Sequence, residues 1–496
     1  MIEARRLHPA TLTALPAEVR TPTFDRIRLR GGIVHLGLGA FMRAHLAAVN
    51  DDALEAGEPL DWGIVGVSLR HADTRDALAP QDGLYTLALR DARGERLRVI
   101  GGLIECLVAP ENPGAVLDRI AHADTRIVSL TVTEKGYCHD PASGALLWSH
   151  ADIAHDLASP DTPQSAIGCI VRGLALRRAR GLSPITLMSL DNLPANGHTL
   201  RRLVQSFAQQ VDAGLADWIE NGCTFPNSMV DRIVPRTTEA DRAAVSQAIG
   251  LNDAWPVVGE TFIDWVVEDR FAAGRPDWTT GGARFVRDAA PWERLKLRMV
   301  NGAHSSIAYL AVAAGWPTVD AAIAQPALRR HIDALMRDEI EPTLGPLPGL
   351  DLPAYRAQLI ERLRNPALAH RTLQIAMDGS QKLPQRLLDT VRHRLAQSAS
   401  IDRLALGIAA WLTHLRGHDD AGRAVPLDDP QAAALRALRT QAMAQPDWRA
   451  RAEAFTRYAP VFADLAGHEA LVAALGPALS ELHERGAART LANRLA

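Results

Sequence analysis

Ile33-Val34-His35-Leu36-Gly37-Leu38-Gly39-Ala40-Phe41-Met42-Arg43-Ala44 is the stretch on which the fold turns. Residues 32–38 form a short apolar run with β-branched residues, closed by glycine, which predicts a buried strand. A glycine turn follows, and residues 44–56 carry a helical pattern. In that setting Gly37 permits a tight turn and Gly39 lets a pyrophosphate approach the backbone. The helix start then supplies free N–H groups and the positive end of its dipole. Met42 stands where the usual fingerprint has its third glycine. Predicted cofactor contacts are Gly37, Leu38, Gly39 and Phe41, with Arg43 placed to pair with phosphate.

Outward from this turn, residues 62–69 give a second buried strand, followed by Arg70-His71-Ala72-Asp73. An acid here can accept the adenosine ribose hydroxyls, so Asp73 favours NAD, with NADP the lesser alternative because Arg70 is close. Strands are also predicted at 97–100, 126–132 and 184–189, and helices at 113–121 and 164–180. That alternation argues for a parallel sheet covered by helices. From about Trp292 the pattern is almost entirely helical, with segments at 294–314, 326–339, 352–364, 383–397, 402–416, 430–445 and 468–485. The expected fold is α/β: a Rossmann-like dinucleotide-binding domain over 1–290 and a mainly α-helical substrate domain over 291–496.

Composition narrows the function. The chain has 496 residues, 47% of them apolar, and a net charge of −3. It lacks the basic field of a nucleic-acid binder. It has no run of about 20 apolar residues to cross a bilayer. No apolar core follows Arg5 and Arg6, so no signal peptide is expected and the location is cytoplasmic. Cys106, Cys138, Cys169 and Cys223 form no CxxC, which argues against a disulfide framework or a zinc site.

One bias is sharper. Of 54 basic residues only Lys135, Lys296 and Lys382 are lysines. Where arginine serves ordinary surfaces, a retained lysine marks a place that needs a compact cation with a shiftable pKa. Lys296 lies in Leu295-Lys296-Leu297-Arg298-Met299-Val300-Asn301-Gly302-Ala303-His304. On an α-helix Lys296, His304 and Asn301 fall at about 0°, 80° and 140°, able to border one cleft. Without a zinc motif, removing hydride from a carbinol needs a side-chain base for the hydroxyl proton. Lys296 is the expected base, Asn301 can stabilise the developing alkoxide, and His304 can orient the substrate oxygen or hold Lys296 in place. Asn192 follows a buried strand at the end where open α/β sheets bind ligands. Asp231 and Arg232 place an acid and a base inside an apolar run. Lys382 lies in a turn entering a helix. Arg298 and Arg386 are candidates for a phosphate, should the substrate carry one.

The stretches IVHLGLGAFMRAH, LTVTEKGYC, SLDNLPANG, TFPNSMVDRIVP, KLRMVNGAHS and DGSQKLPQR, in this order, resemble the polyol-specific long-chain dehydrogenases, the mannitol dehydrogenase family. The resemblance implies a Rossmann-like domain, a helical domain and an active site between them. It implies Lys296 as general base, Asn192 and Asn301 as an oxyanion-type pair, and His304 on the substrate. Asp231 and Lys382 would line the substrate pocket; Arg386, in the same DGSQKLPQR stretch, is a further substrate-binding candidate read from the residues themselves. Glu293 would pass the proton to solvent. It also implies NAD(P), no catalytic metal and a monomer. Mannitol dehydrogenases often carry arginine eight residues before the pocket lysine; this chain has Gln374 there, a form that looks more like the members acting on fructuronate. The expected substrate is a sugar acid or polyol, foremost D-fructuronate and D-mannonate. D-mannitol or D-arabinitol oxidation, a mannitol 1-phosphate activity and a non-catalytic NAD-binding module are the alternatives.

Overall fold

The computed structural model describes residues 5–494 except 92, 141, 142 and 369. The chain divides into two compact units, Met1–Glu293 and Arg294–Ala496.

The first unit is built on five parallel strands: β1 (Ile33–Leu36), β2 (Ile64–Ser68), β3 (Leu103–Val108), β4 (Ile127–Leu130) and β5 (Thr186–Ser189). Their order is β3-β2-β1-β4-β5. The winding reverses between β1 and β4, which opens a crevice beyond their carboxyl ends. Alternation along the strands builds the two faces. Val34, Val65 and Val128 pack with Ile167 and Ile170 on one side, and Ile33, Ile64 and Ile127 with Leu46 and Val49 on the other. The predicted 44–56 helix is broken at His45 (φ −114°, ψ −86°) into Ala40–Ala44 and Leu46–Glu55.

Six further strands were not foreseen as such, apart from residues 97–100. Tyr85–Asp91 and Gly94–Ile100 form a hairpin joined by Val257–Glu260. β6 (Ser228–Asp231), β7 (Asp264–Glu268) and β8 (Ala283–Val286) form a small sheet in the order β8-β7-β6.

The second unit is helical. Gly302–Ala314, Asp402–His414 and Glu469–Asn493 pack on one another at its centre. Three stretches expected as continuous α-helix contain a π-helical turn instead: Lys296–Asn301, Leu335–Ile340 and Pro384–Leu388. Bonding from i to i+5 accommodates an extra residue in the turn, which an apolar periodicity of 3.6 does not reveal. No helix among the described residues is long and apolar enough to cross a membrane.

Candidate active site

A cleft of about 300 Å³ lies at the switch point of the first unit, at the lower end of the usual range for ligand pockets. It is lined by the Gly37–Gly39 turn, the Ser68–His71 segment after β2, the Thr131–Thr133 segment after β4, and Gln164–Ala166. Gly37 has φ +99°, and a Cβ there would lie 2.1 Å from the Thr131 carbonyl oxygen. Glycine is therefore forced at this position by the protein itself. Gly39 differs: a Cβ on it meets nothing closer than 3.9 Å. The protein's own packing does not require glycine there, but a pyrophosphate approaching the helix start does. Gly39 caps Ala40–Ala44 without a side-chain bond, leaving first-turn N–H groups available. These residues fit a dinucleotide.

The floor of the cleft is a polar network. His35 in β1 contacts Ser129 Oγ through Nδ1 (2.8 Å) and Thr131 Oγ1 through Nε2 (2.9 Å). Complete burial holds its pKa down at about 3, so the ring is neutral. The Thr131 hydroxyl donates to Gly37 O (3.0 Å). Thr133 has φ +62° and ψ 164°, a strained conformation for a β-branched residue. Asp191, just past β5, holds it in place. Its carboxylate accepts from the N–H groups of Val132 and Thr133 (both 3.0 Å) and from the Tyr137 hydroxyl (2.9 Å). Burial pushes the Asp191 pKa up, against the pull of those bonds. Sequence reasoning passed over Asp191, although it stands beside Asn192 in the stretch already singled out.

Three predicted cofactor residues lie elsewhere than expected. Arg43 is buried and donates to Trp255 O (2.6 Å), with its guanidinium 5.2 Å from the Tyr85 ring. It turns into the core, and no phosphate contact is available to it there. Phe41 stacks on His45 at 5.0 Å between ring centroids and is not among the lining residues. Asp73 begins the helix Asp73–Leu78 as an exposed residue, and Arg70 and His71 line the rim in its place.

Beside this rim, Cys138, His150 and Asp152 bring a thiol, an imidazole and a carboxylate atom within 4.8 Å of one another. His150 Nδ1 accepts the Asp152 N–H (3.2 Å), capping the helix Ala151–Ala158. The Asp152 carboxylate takes the Arg70 guanidinium (2.5 Å).

Asn192 is exposed in the loop after β5. Ala195, three residues on, has φ +43°, and its N–H donates to both Glu293 carboxylate oxygens (3.1 and 3.2 Å). Glu293 thus fixes the loop that carries Asn192. The buried Asn196 side chain ties the same loop to Ser228 through its carbonyl and amide groups (2.9 Å each). Asp231 ends β6 in register with Asp264 of β7. Arg232, the next residue, donates to Glu260 O (3.0 Å) and Ala44 O (2.5 Å).

In the second unit Lys296 is buried, 7% exposed, and opens the π turn that Asn301 closes. Residues five apart are bonded neighbours in such a turn. The wider turn brings Lys296 and Asn301 closer around the axis than the roughly 140° of an α-helix. His304 follows one turn later, its ring centroid 6.1 Å from that of His370. The π turn Pro384–Leu388 packs against the Lys296–Asn301 turn and carries Arg386, whose Nη1 is 3.4 Å from Ser305 Oγ. Lys382 donates to Met377 O (2.7 Å), with Asp378 at 3.6 Å. Burial lowers its pKa, and Arg386 lowers it further. Arg298 donates to Thr343 O (2.9 Å).

A parallel sheet with a glycine turn at its switch point, joined to a helical unit with a buried lysine, fits a dinucleotide-dependent dehydrogenase. The chain belongs to the mannitol dehydrogenase family: residues 31–280 match the mannitol dehydrogenase Rossmann domain and residues 288–483 the mannitol dehydrogenase C-terminal domain. It is 45% identical over 480 residues to D-mannonate oxidoreductase of Escherichia coli (strain K12), covering 96% of this chain and 98% of the relative. It is 41% identical over 444 residues to a mannitol 2-dehydrogenase of Phaeosphaeria nodorum, covering 87% and 78%. Among solved structures it matches Pseudomonas fluorescens mannitol 2-dehydrogenase in its ternary complex with NAD and D-mannitol. The TM-score is 0.86 and the identity 37%, over 99% of both chains. The chain is accordingly an NAD-linked oxidoreductase acting on CH–OH groups of a polyol or sugar acid.

Proposed function

We propose that this enzyme interconverts D-mannonate and D-fructuronate with NAD, and that Lys296 is its general base. The observation that carries the substrate is Arg386. This guanidinium is half-buried, and among the described residues it forms no ion pair, Ser305 Oγ at 3.4 Å being its one side-chain hydrogen bond. Burial lowers its pKa, opposed by Tyr309 and Asp378 at longer range. A desolvated cation without a counter-ion is costly, and a carboxylate ligand restores the balance through charge-assisted bonds. A hexonate has that carboxylate and a neutral polyol does not. The identity to D-mannonate oxidoreductase supports the same reading.

NAD held by the Gly37–Gly39 turn would supply the acceptor for the hydride of the carbinol carbon. Lys296 as free amine takes the hydroxyl proton, from a position shielded from bulk water. The Asn301 amide donates to the developing alkoxide, and His304 holds the substrate oxygen. The family roles of Asn192 as a second amide donor, Asp231 and Lys382 as substrate contacts and Glu293 as proton relay belong to the same proposal.

The test is a steady-state comparison of D-mannonate, D-mannitol and D-arabinitol with NAD, followed by NADH absorbance. D-Mannonate is expected to lead in kcat/KM by more than about tenfold, one bound-carboxylate interaction. Lys296→Ala is expected to lower turnover by roughly a hundredfold to ten-thousandfold while NADH still binds. Preference for a polyol overturns the substrate, and near-normal turnover of the variant overturns the base.

A further inference from the structure

We infer that the adenosine end of the cleft carries a latent phosphomonoester subsite, Arg70 with His71, which Asp152 holds in check, so that Asp152 keeps the enzyme on NAD. The inference rests on the reading of this cleft as the dinucleotide site.

Arg70 is the second residue beyond β2, where doubly wound sheets read the adenosine ribose. The described lining residues include no carboxylate, and Arg70 is their one formal charge. Its side chain is 57% exposed at the rim, whereas that of Asp152 is 13% exposed behind it. The contact between them is a 2.5 Å charge-assisted bond. Asp152 is itself fixed by the helix Ala151–Ala158, its backbone N–H bound to His150 Nδ1. The pair presents little net charge to a ribose with two free hydroxyls. To a 2′-phosphate it presents a guanidinium already spent, with a carboxylate close behind. Freed of Asp152, the guanidinium has the fork geometry that phosphate takes.

Dissociation constants of NADH and NADPH, measured by energy transfer from protein tryptophan to the nicotinamide, test this without any choice of sugar substrate. Four proteins are compared: wild type, Asp152→Asn, Arg70→Ala and the double variant, with thermal melts alongside. Asp152→Asn keeps the side-chain shape and is expected to shift the NADPH-to-NADH affinity ratio toward NADPH by about tenfold, the worth of one charge-assisted contact. The double variant is expected to lose that shift. An unchanged ratio in Asp152→Asn with an intact melt overturns the inference. A shift that persists without Arg70 also overturns it, since removal of a nearby negative charge then suffices. If wild type binds neither nucleotide, the reading of the cleft itself fails, a result distinct from these.

Discussion

Replacing Arg386 with methionine separates a sugar-acid enzyme from a polyol enzyme in one variant. Methionine keeps most of the length and packing of the arginine stem while removing the charge. In the folded chain the guanidinium is half-buried, forms no ion pair among the described residues, and has its pKa lowered chiefly by burial. The free enzyme therefore gains little from the charge, and its removal is expected to leave the Tm unchanged or slightly raised. Substrate carboxylate is expected to lose one charge-assisted pair, about 1.5–3 kcal/mol. That corresponds to a fall of roughly tenfold to 150-fold in kcat/KM for D-mannonate. D-Mannitol, with no group to meet Arg386, is expected to change by less than about threefold, within the spread of ordinary surface substitutions. The assay is initial-rate NADH formation with both substrates, with a thermal melt on each protein. An equal loss on both substrates refutes the assignment of Arg386 to the carboxylate. A large fall in Tm refutes the premise that the cation lacks a structural partner.

Three other outcomes are expected. Gly39→Ala should fold with wild-type Tm, because its Cβ meets nothing within 3.9 Å, yet weaken NADH by tenfold or so; unaltered NADH affinity contradicts the pyrophosphate reading. Asp191→Asn places an amide N–H against one of three donors, at a cost of about 1–3 kcal/mol. Thr133 should then relax and NADH bind less tightly, whereas wild-type affinity would show that the strained lip plays no part. His35, with a folded pKa of about 3 against 6.5 unfolded, binds fewer protons in the native state across that window. Stability therefore rises with pH there and is lost as pH falls below about 6.5. His35→Gln should flatten the acid limb of a Tm–pH curve, and a limb of unchanged slope refutes the assignment.

Four of the five parallel strands were legible because they are fully buried and appear as short apolar runs, whereas β3, half-buried and carrying Glu105, was not. β1, β2, β4 and β5 fall within or close to the predicted stretches. The hairpin and the small sheet were not, since strands such as Gly94–Ile100 carry several charged residues and lie partly exposed. The location of Lys296, Asn301 and His304 on one helical run was predicted, but its winding was not. A π turn depends on what packs against the helix, here the Pro384–Leu388 turn, and no local composition announces it. Arg43 shows the converse error. A cation at a helix start beside a glycine turn suggests phosphate, yet the break at His45 and the proximity of Trp255 draw it inward. Both depend on residues distant in sequence.

The π turn at Lys296 also sets a limit on how this protein can be improved. Deleting one residue between 297 and 300 would let the segment relax into an ordinary α-helix with more regular bonding. Asn301 would then stand four residues from Lys296, about 40° around an α-helix, and the five-residue bonding that pairs the two positions in the π turn would be lost. At this spot a more regular helix would change how the Lys296 and Asn301 positions meet, so regular bonding and the geometry of that pair are set against each other.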